Sequence, residues 1–269
     1  MKTTVPSTRM PALFIGHGTP MNALESNEFT QSWARLGECI GKPKAILVVS
    51  AHWQTRGVAV TAMPRPRTIH DFGAFPQALF DVRYPAPGDP VLAARIARLL
   101  EPLSTQLDQQ WGLDHGTWSI LVHMYPRADV PVLQLSMDLT QPPSLHYEMG
   151  ERLRQLRDEG VLIVGTGNIV HNLGMLSFAH PDSGFEWAER FQQRCLDIVA
   201  NGDDRDLVKF QTLGADANRA IPGPDHFLPL LYVLGARDHK DDAVEFITPK
   251  CVLGSLSMMS IALWPSALP

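Results

Sequence analysis

Four of the ten histidines in this 269-residue chain lie where a metal site could form. Three of them, His17, His52 and His171, follow short apolar segments that are typical of buried strands. The fourth, His226, comes directly before residues 227–234, an apolar segment with helical character. Open α/β sheets bind ligands at the carboxyl ends of their strands, so we expect these four side chains to share one crevice.

Imidazole groups suit zinc and iron, and a site that keeps a position open for water or substrate needs about three protein ligands. The four histidines can supply that number from separate elements. Neither H-x-x-x-H nor H-x-H occurs in the sequence, so spacing alone does not define a metal motif. We therefore predict a site for one divalent metal ion whose ligands come from distant parts of the chain.

His115 lies in a different setting, before an apolar segment with the pattern of a helix and directly after Asp114. Histidine titrates near neutral pH, which suits proton transfer during catalysis. A loop histidine that caps the following helix would occupy the same position. The residues alone leave both roles for His115 open.

The elements that must position these residues alternate between strands and helices. Continuous apolar runs predict strands at 12–15, 45–49, 58–62, 130–135 and 161–164, with 252–258 as a weaker candidate. Helical spacing predicts helices at 28–39, 89–100, 144–159, 184–200 and 227–234. Continuous rather than alternating hydrophobicity indicates a sheet covered on both faces. We expect one α/β domain over residues 1–269, with a central, mostly parallel sheet flanked by helices.

The longest segment without periodicity, residues 63–88, is rich in aromatic residues and includes Asp71-Phe72-Gly73-Ala74-Phe75-Pro76. Loops of this length in compact domains are often functional. Other common chemistries lack their motifs, because the sequence has no G-x-S-x-G elbow, no phosphate-binding P-loop and no complete G-x-G-x-x-G turn.

The charge balance and the cysteines exclude several classes of partner. A net charge of −5, from 23 Lys+Arg and 28 Asp+Glu, provides no basic field for nucleic acid or an anionic membrane. Cys39, Cys195 and Cys251 lie far apart, which fits neither a disulfide framework nor a cysteine zinc site. Because no apolar leader or long apolar segment occurs, we expect a cytoplasmic protein. The sequence does not indicate the oligomeric state.

Six segments resemble, in the right order, the motifs of the DOPA extradiol ring-cleavage dioxygenases. That family is related to the catalytic subunit of protocatechuate 4,5-dioxygenase. The segments are PALFIGHGTPM (11–21), SAHW (50–53), TIHDFGAFP (68–76), LDHGTW (113–118), GNIVHN (167–172) and DHFLPL (225–230). The resemblance runs from about residue 10 to residue 260, which is nearly the whole chain.

This resemblance implies a mononuclear metal held by His17, His52 and His226, with His171 as a further ligand or close neighbour. It also implies that His115 is the acid/base residue. The expected substrates are O₂ and a catechol such as DOPA, and ring cleavage is expected to require Fe²⁺.

The position of His226 departs from the pattern of many extradiol enzymes, which complete two histidines with one carboxylate. Asp225 is adjacent, but neighbouring side chains on a helix do not face the same way. An all-histidine set also suits zinc, so we expect Zn²⁺ in the purified protein. The alternatives are a zinc-dependent hydrolase that uses the same site, and a non-catalytic protein that binds a metal or an aromatic ligand.

Overall fold

The computed structural model describes residues 9–266 and contains an eight-stranded sheet. Its strands are β1 (Ala12–Gly16), β2 (Ala45–Gln54), β3 (Val58–Thr61), β4 (Thr105–Asp108), β5 (Val132–Met137), β6 (Val161–Gly167), β7 (Asp242–Ile247) and β10 (Ser260–Pro265). Two further strands, β8 (Cys251–Val252) and β9 (Leu256–Ser257), form a separate small ladder.

The order of the strands in the main sheet is β4-β3-β5-β2-β6-β1-β10-β7. The four central strands, β5, β2, β6 and β1, are all parallel to one another. Antiparallel pairs occur where β3 meets β5 and where β10 meets β1 and β7. The mostly parallel α/β fold predicted from the sequence is thus confirmed, and its parallel centre brings several carboxyl strand ends to one edge.

Helices cover both faces of this sheet. They are α1 (Glu28–Ile40), α2 (Gln77–Phe80), α3 (Pro90–Leu99), α4 (His115–Met124), α5 (Pro143–Leu153), α6 (Glu186–Asn201), α7 (Ala215–Ala220) and α8 (Leu228–Gly235). Alternate residues of β1 pack into different cores: Phe14 lies against the core formed with α5, α6 and α8, and Ile15 against the core formed with α1 and α4. Burial on both faces explains the continuous apolar runs.

Several predicted elements differ from those observed. Residues 252–258 do not form one strand, because Leu253 and Gly254 have positive φ angles and turn the chain between β8 and β9. The long carboxyl-terminal strand is β10 instead. The helix predicted at 144–159 ends as α-helix at Leu153 and continues as a 3₁₀ turn, Arg154–Arg157.

Strands β4 and β7 were missed because they lie at the two edges of the sheet and contain polar residues, which breaks the apolar pattern. Within the described residues, no helix is both long enough and apolar enough to span a bilayer.

Candidate active site

The central strands bring five histidines together at their carboxyl edge. His17 directly follows β1, and His171 follows β6 by four residues. His52 lies inside β2, which continues for two residues beyond it, to Gln54. His226 precedes α8, and His115 is the first residue of α4.

The distances between the rings show how tightly the cluster is built. The ring centroids of His17, His52 and His226 are 5.0–5.4 Å apart, and His115 is 3.9 Å from His52. His171 stacks on His226 with a centroid distance of 3.5 Å. The Nε2 atoms of His17 and His52 face each other at 3.1 Å. All five histidines that the sequence singled out therefore lie in one cluster.

The side chains that can bind one ion are defined by their nitrogen positions. His17, His52 and His115 each offer a ring nitrogen within 4.8 Å of the others. This group includes His115, the expected acid/base residue, whereas the predicted ligand set has His226 in the third place. The assignment of His17, His52 and His226 as ligands, with His171 beside them, stays a prediction.

Burial favours the uncharged form of three histidines of the cluster, His17, His52 and His171. Desolvation lowers the pKa of His17 and of His52 well below the usual value, and the neighbouring imidazoles lower both further. Burial, together with the charge of His226, lowers the pKa of His171 to about 3. A histidine binds metal in its neutral form, so these shifts prepare the cluster for an ion.

A hydroxyl group sets the tautomer of His17. Thr166 Oγ1 donates its only hydrogen to the carbonyl of Gly116 at 2.8 Å. The same oxygen lies 3.1 Å from Nδ1 of His17 and must accept a hydrogen from it. The proton of His17 is therefore on Nδ1, and the lone pair of Nε2 points toward His52. Ligand histidines commonly donate their second N–H to such a partner.

Asp225 is the partner of Nδ1 in His226, as Thr166 is in His17. Its Oδ2 lies 2.5 Å from Nδ1 of His226. Burial raises the pKa of the Asp225 carboxyl, but the hydrogen bond and charge of His226 outweigh it, so the pKa lies below the usual value. The expectation that these neighbours face apart was wrong, because α8 begins only at Leu228 and the helix rule does not apply.

Two glycines let the segment of His226 approach β6. A Cβ on Gly167 would collide with the backbone carbonyl of His226, and one on Gly165 with the backbone carbonyl of Pro229. Both positions therefore need the smallest residue for α8 to pack directly on the strand. This close packing places His226 next to the ends of β1 and β2.

The start of α4 is capped by Asp114, not by His115. Asp114 Oδ1 accepts hydrogen bonds from the backbone N–H of Thr117 and from Ser50 Oγ, and Oδ2 accepts one from the side chain of Gln134. The capping role considered for His115 is thus wrong, since that role belongs to its neighbour. Burial, followed by the nearby charge of Asp71, raises the pKa of Asp114.

Asp71 is the functional candidate that the sequence did not identify. Its Oδ2 is 3.0 Å from Nδ1 of His115 and 3.9 Å from Nδ1 of His52. Burial raises the pKa of the Asp71 carboxyl, but hydrogen bonding and the charge of His115 bring it below the usual value. In the sequence, Asp71 lies in the long aromatic loop and in the segment TIHDFGAFP (68–76), but neither pattern assigns it a role.

The same loop supplies an aromatic wall. The ring of Phe72 meets His115 edge to face, with a centroid distance of 5.5 Å, and also contacts Phe75, Phe80 and Trp118. His70 packs into this wall with its Nε2 3.0 Å from the carbonyl of Val82, so it does not join the histidine cluster. The crevice thus combines polar nitrogen atoms with an apolar, aromatic side.

Comparison with known proteins identifies the family of the chain. Residues 11–263 match the family described as the catalytic LigB subunit of aromatic ring-opening dioxygenase. The match covers almost the whole chain, and the chain belongs to this family of dioxygenases.

The relatives include proteins with a stated activity. The chain is 49% identical over 259 residues to "4,5-DOPA dioxygenase extradiol" from Escherichia coli (strain K12), covering 95% of each chain. It is 40% identical over 240 residues to the protein of the same description from Beta vulgaris, covering 86% of this chain and 88% of the relative. The crystal structure of an uncharacterized protein from Escherichia coli K12 superposes with a TM-score of 0.82 at 43% identity, covering 95% of this chain and 100% of that one.

Proposed function

We propose that this protein is an extradiol dioxygenase that uses O₂ to open the ring of a catechol such as DOPA at one histidine-bound metal ion. The observation that carries the proposal is the buried cluster of imidazoles beside an aromatic wall, in which burial favours the neutral form of His17 and His52. The descriptions of the relatives support the reaction type and the choice of DOPA as the first substrate to test.

The donor set fits a divalent metal. In the proposed assignment His17, His52 and His226 hold the ion, and His171 is a further ligand or packs against them. The partners of Nδ1 on His17 and His226 leave Nε2 of both rings free to bind. A bound ferrous ion would supply the redox chemistry that allows O₂ to react with a catechol.

The protein's own task is to hold the reactants and to move protons. His115 is the proposed acid/base residue, which takes a catechol proton and later returns one. Because Asp71 lies against Nδ1, the nitrogen of His115 that remains for this exchange is Nε2. Phe72 offers an edge-to-face contact of the kind that orients aromatic rings, which suits a catechol.

We also propose which metal the purified protein carries and which metal the reaction needs. Zn²⁺ stands above Fe²⁺ in the usual affinity order for nitrogen ligands, so the purified protein should carry zinc. Ring cleavage should nevertheless require Fe²⁺, because Zn²⁺ has no redox chemistry.

A zinc-dependent hydrolase is the second candidate, and the all-imidazole group of His17, His52 and His115 favours it. Such a site would activate water and would consume no O₂. The two candidates therefore differ in a quantity that is easily measured.

The test is anaerobic preparation of the metal-free protein, loading with Fe²⁺ or Zn²⁺, and measurement of O₂ uptake with a panel of catechols. We expect uptake only with Fe²⁺ and only with vicinal diols, and both atoms of labelled O₂ should enter the product. Tyrosine, which lacks the second hydroxyl, is the control substrate. Equal uptake by the zinc and iron forms, or no uptake with any catechol, would contradict the proposal.

We place this reaction in the cytosol, with the catechol and O₂ as partners and without nucleic acid or membrane. The support is the acidic net charge and the cysteines, none of which forms a disulfide within residues 9–266.

A further inference from the structure

Both carboxylate oxygens of Asp71 contact the same residue, His115. Oδ1 accepts a hydrogen bond from the backbone N–H of His115 at 2.9 Å, and Oδ2 lies 3.0 Å from the ring nitrogen Nδ1. The side chains of Asp71 and His115 are only 15% and 8% exposed. One carboxylate thus bonds the main chain of His115 and lies against its ring.

The loop that carries Asp71 is fastened to the element that carries His115. The backbone of Ile69 donates to the carbonyl of Leu113 at 2.7 Å, and Leu113 donates to the carbonyl of Arg67 at 2.8 Å. The indole of Trp118, on the first turn of α4, donates to the carbonyl of Ile69 at 2.8 Å. These bonds lie on both sides of His115 in sequence, so the position of Asp71 relative to the ring is well determined.

Packing by itself cannot choose between the two nitrogens of His115. The ring lies between His52, at a centroid distance of 3.9 Å, and Phe72, at 5.5 Å. These neighbours restrict the ring plane. They do not determine which nitrogen carries the proton, because that depends on the hydrogen-bond partner of each nitrogen.

We propose that Asp71 is the positioning residue of His115: its carboxylate requires the proton on Nδ1 and leaves Nε2 as the nitrogen that exchanges protons with the substrate. The catalytic half of this inference rests on the proposed function. The tautomer half does not, since it concerns the protein without metal or substrate.

Asp71→Asn separates this role from simple packing. Asparagine has the shape of aspartate, but it offers one acceptor oxygen and one donor group. Two N–H groups of His115 need acceptors, so the variant must either move the ring proton to Nε2 or leave the backbone N–H unpaired. A residue that only filled space would tolerate this change.

The test is ¹⁵N NMR of the imidazole groups in the metal-free protein, with the His115 signals assigned by their loss in His115→Gln. We expect the parent to carry the proton on Nδ1 and Asp71→Asn to show a shifted population toward Nε2–H. Asp71→Glu keeps two acceptor oxygens and should keep the parent tautomer. Asp81→Asn changes another carboxylate of the same loop, which bonds Gln77, and should change nothing.

Turnover of the Fe²⁺-loaded proteins provides the second measurement. Asp71→Asn should lower kcat on the order of 10–100-fold, the range for residues that orient a functional histidine, with metal content and KM for the catechol near those of the parent. Asp71→Glu should recover a larger part of kcat than Asp71→Asn does.

The proposal is overturned if the parent carries the proton on Nε2, or if Asp71→Asn keeps both the parent tautomer and the parent kcat. Should Asp71→Asn not fold, the tautomers of the parent and of Asp71→Glu decide the question. A parent with the expected tautomer but without O₂ uptake would contradict the proposed function and leave the positioning of His115 by Asp71 intact.

Discussion

The central strands carry one buried polar cluster at each end, and the two clusters are built in opposite ways. At the amino ends of β1 and β6, Arg157 is fully buried and forms a two-point ion pair with Asp242 at 2.5 and 2.8 Å. Its remaining hydrogen bonds go to the carbonyls of Met10, Ala236 and Leu263. A guanidinium has five N–H donors, and these bonds satisfy them all.

At the carboxyl ends of the central strands, the polar atoms are not satisfied in this way. The Nε2 atoms of His17 and His52 face each other, and within residues 9–266 no carboxylate or hydroxyl bonds either atom. Buried polar groups without proper partners cost stability unless a ligand completes them. The amino end of the central strands is thus fully paired, which stabilises the fold, whereas the carboxyl end leaves ring nitrogens available to a ligand.

The largest expected effect is that of His52→Ala. Removal of one of about three ligands should abolish metal binding and O₂ uptake together. The free energy of unfolding of the metal-free protein should fall by only about 1 kcal/mol, because the ring loses its hydrogen-bond contact with Nε2 of His17. Metal analysis, an oxygen electrode and urea unfolding test this, and retention of a full metal complement would remove His52 from the ligand set.

The next effect is that of His115→Ala, which should lower turnover by about 10²–10⁴-fold, the usual range for general acid–base catalysis. Metal content should stay near that of the parent, because in the proposed assignment His115 is not a ligand. Measurements of metal content and O₂ uptake on the same sample are needed. Loss of the metal would instead assign His115 to the ligand group with His17 and His52.

At the opposite end, Arg157→Ala should lower the free energy of unfolding by about 3–5 kcal/mol, because it leaves Asp242 buried without its partner. Arg157→Met combined with Asp242→Leu should recover much of that loss. The control is Arg95→Ala, which removes an ion pair with Glu159 that lies at the surface and should cost about 0–1 kcal/mol. Equal losses of unfolding free energy for Arg157→Ala and Arg95→Ala, measured in urea, would contradict the stabilising role of the buried ion pair.

The smallest expected effect is the contribution of His146 to the loss of stability at acidic pH. Burial lowers the pKa of His146 to about 4. Between pH 6.5 and pH 4 the unfolded chain binds a proton at this residue that the folded protein does not, so stability falls as the pH falls. In the metal-free protein we expect His146→Gln to reduce the loss between pH 7 and pH 5 by on the order of 1–2 kcal/mol. Identical pH slopes for parent and variant would exclude this contribution.

The sequence predicted the centre of the molecule better than its edges. Central strands such as β2 and β6 are buried on both faces and leave a continuous apolar run, and their carboxyl ends located His52 and the crevice. The edge strands β4 and β7 are partly exposed and contain polar residues, so they leave no continuous apolar run by which a strand could be predicted.

Within the site, the histidines could be found from local context, but their hydrogen-bond partners could not. Asp71 reaches His115 from an aperiodic loop 44 residues earlier in the chain, and no pattern encodes the path of such a loop. The role of Thr166 could not be predicted either, because it depends on a hydrogen bond to the carbonyl of Gly116, which is distant in sequence. Such partners require coordinates.

Strand β10 lies between β1 and β7 in the sheet, although it is made late in synthesis. This position determines when the proposed site can assemble. During synthesis His17 and His52 leave the ribosome early, whereas His226 and the strand that covers β1 come from the last fifth of the chain. The proposed site draws on parts that are far apart in the chain, so it can assemble only after residues 226 and 260–265 have been made. In the proposed assignment an ion would bind only the folded chain, so the metal content of a preparation should rise with the fraction of folded chains.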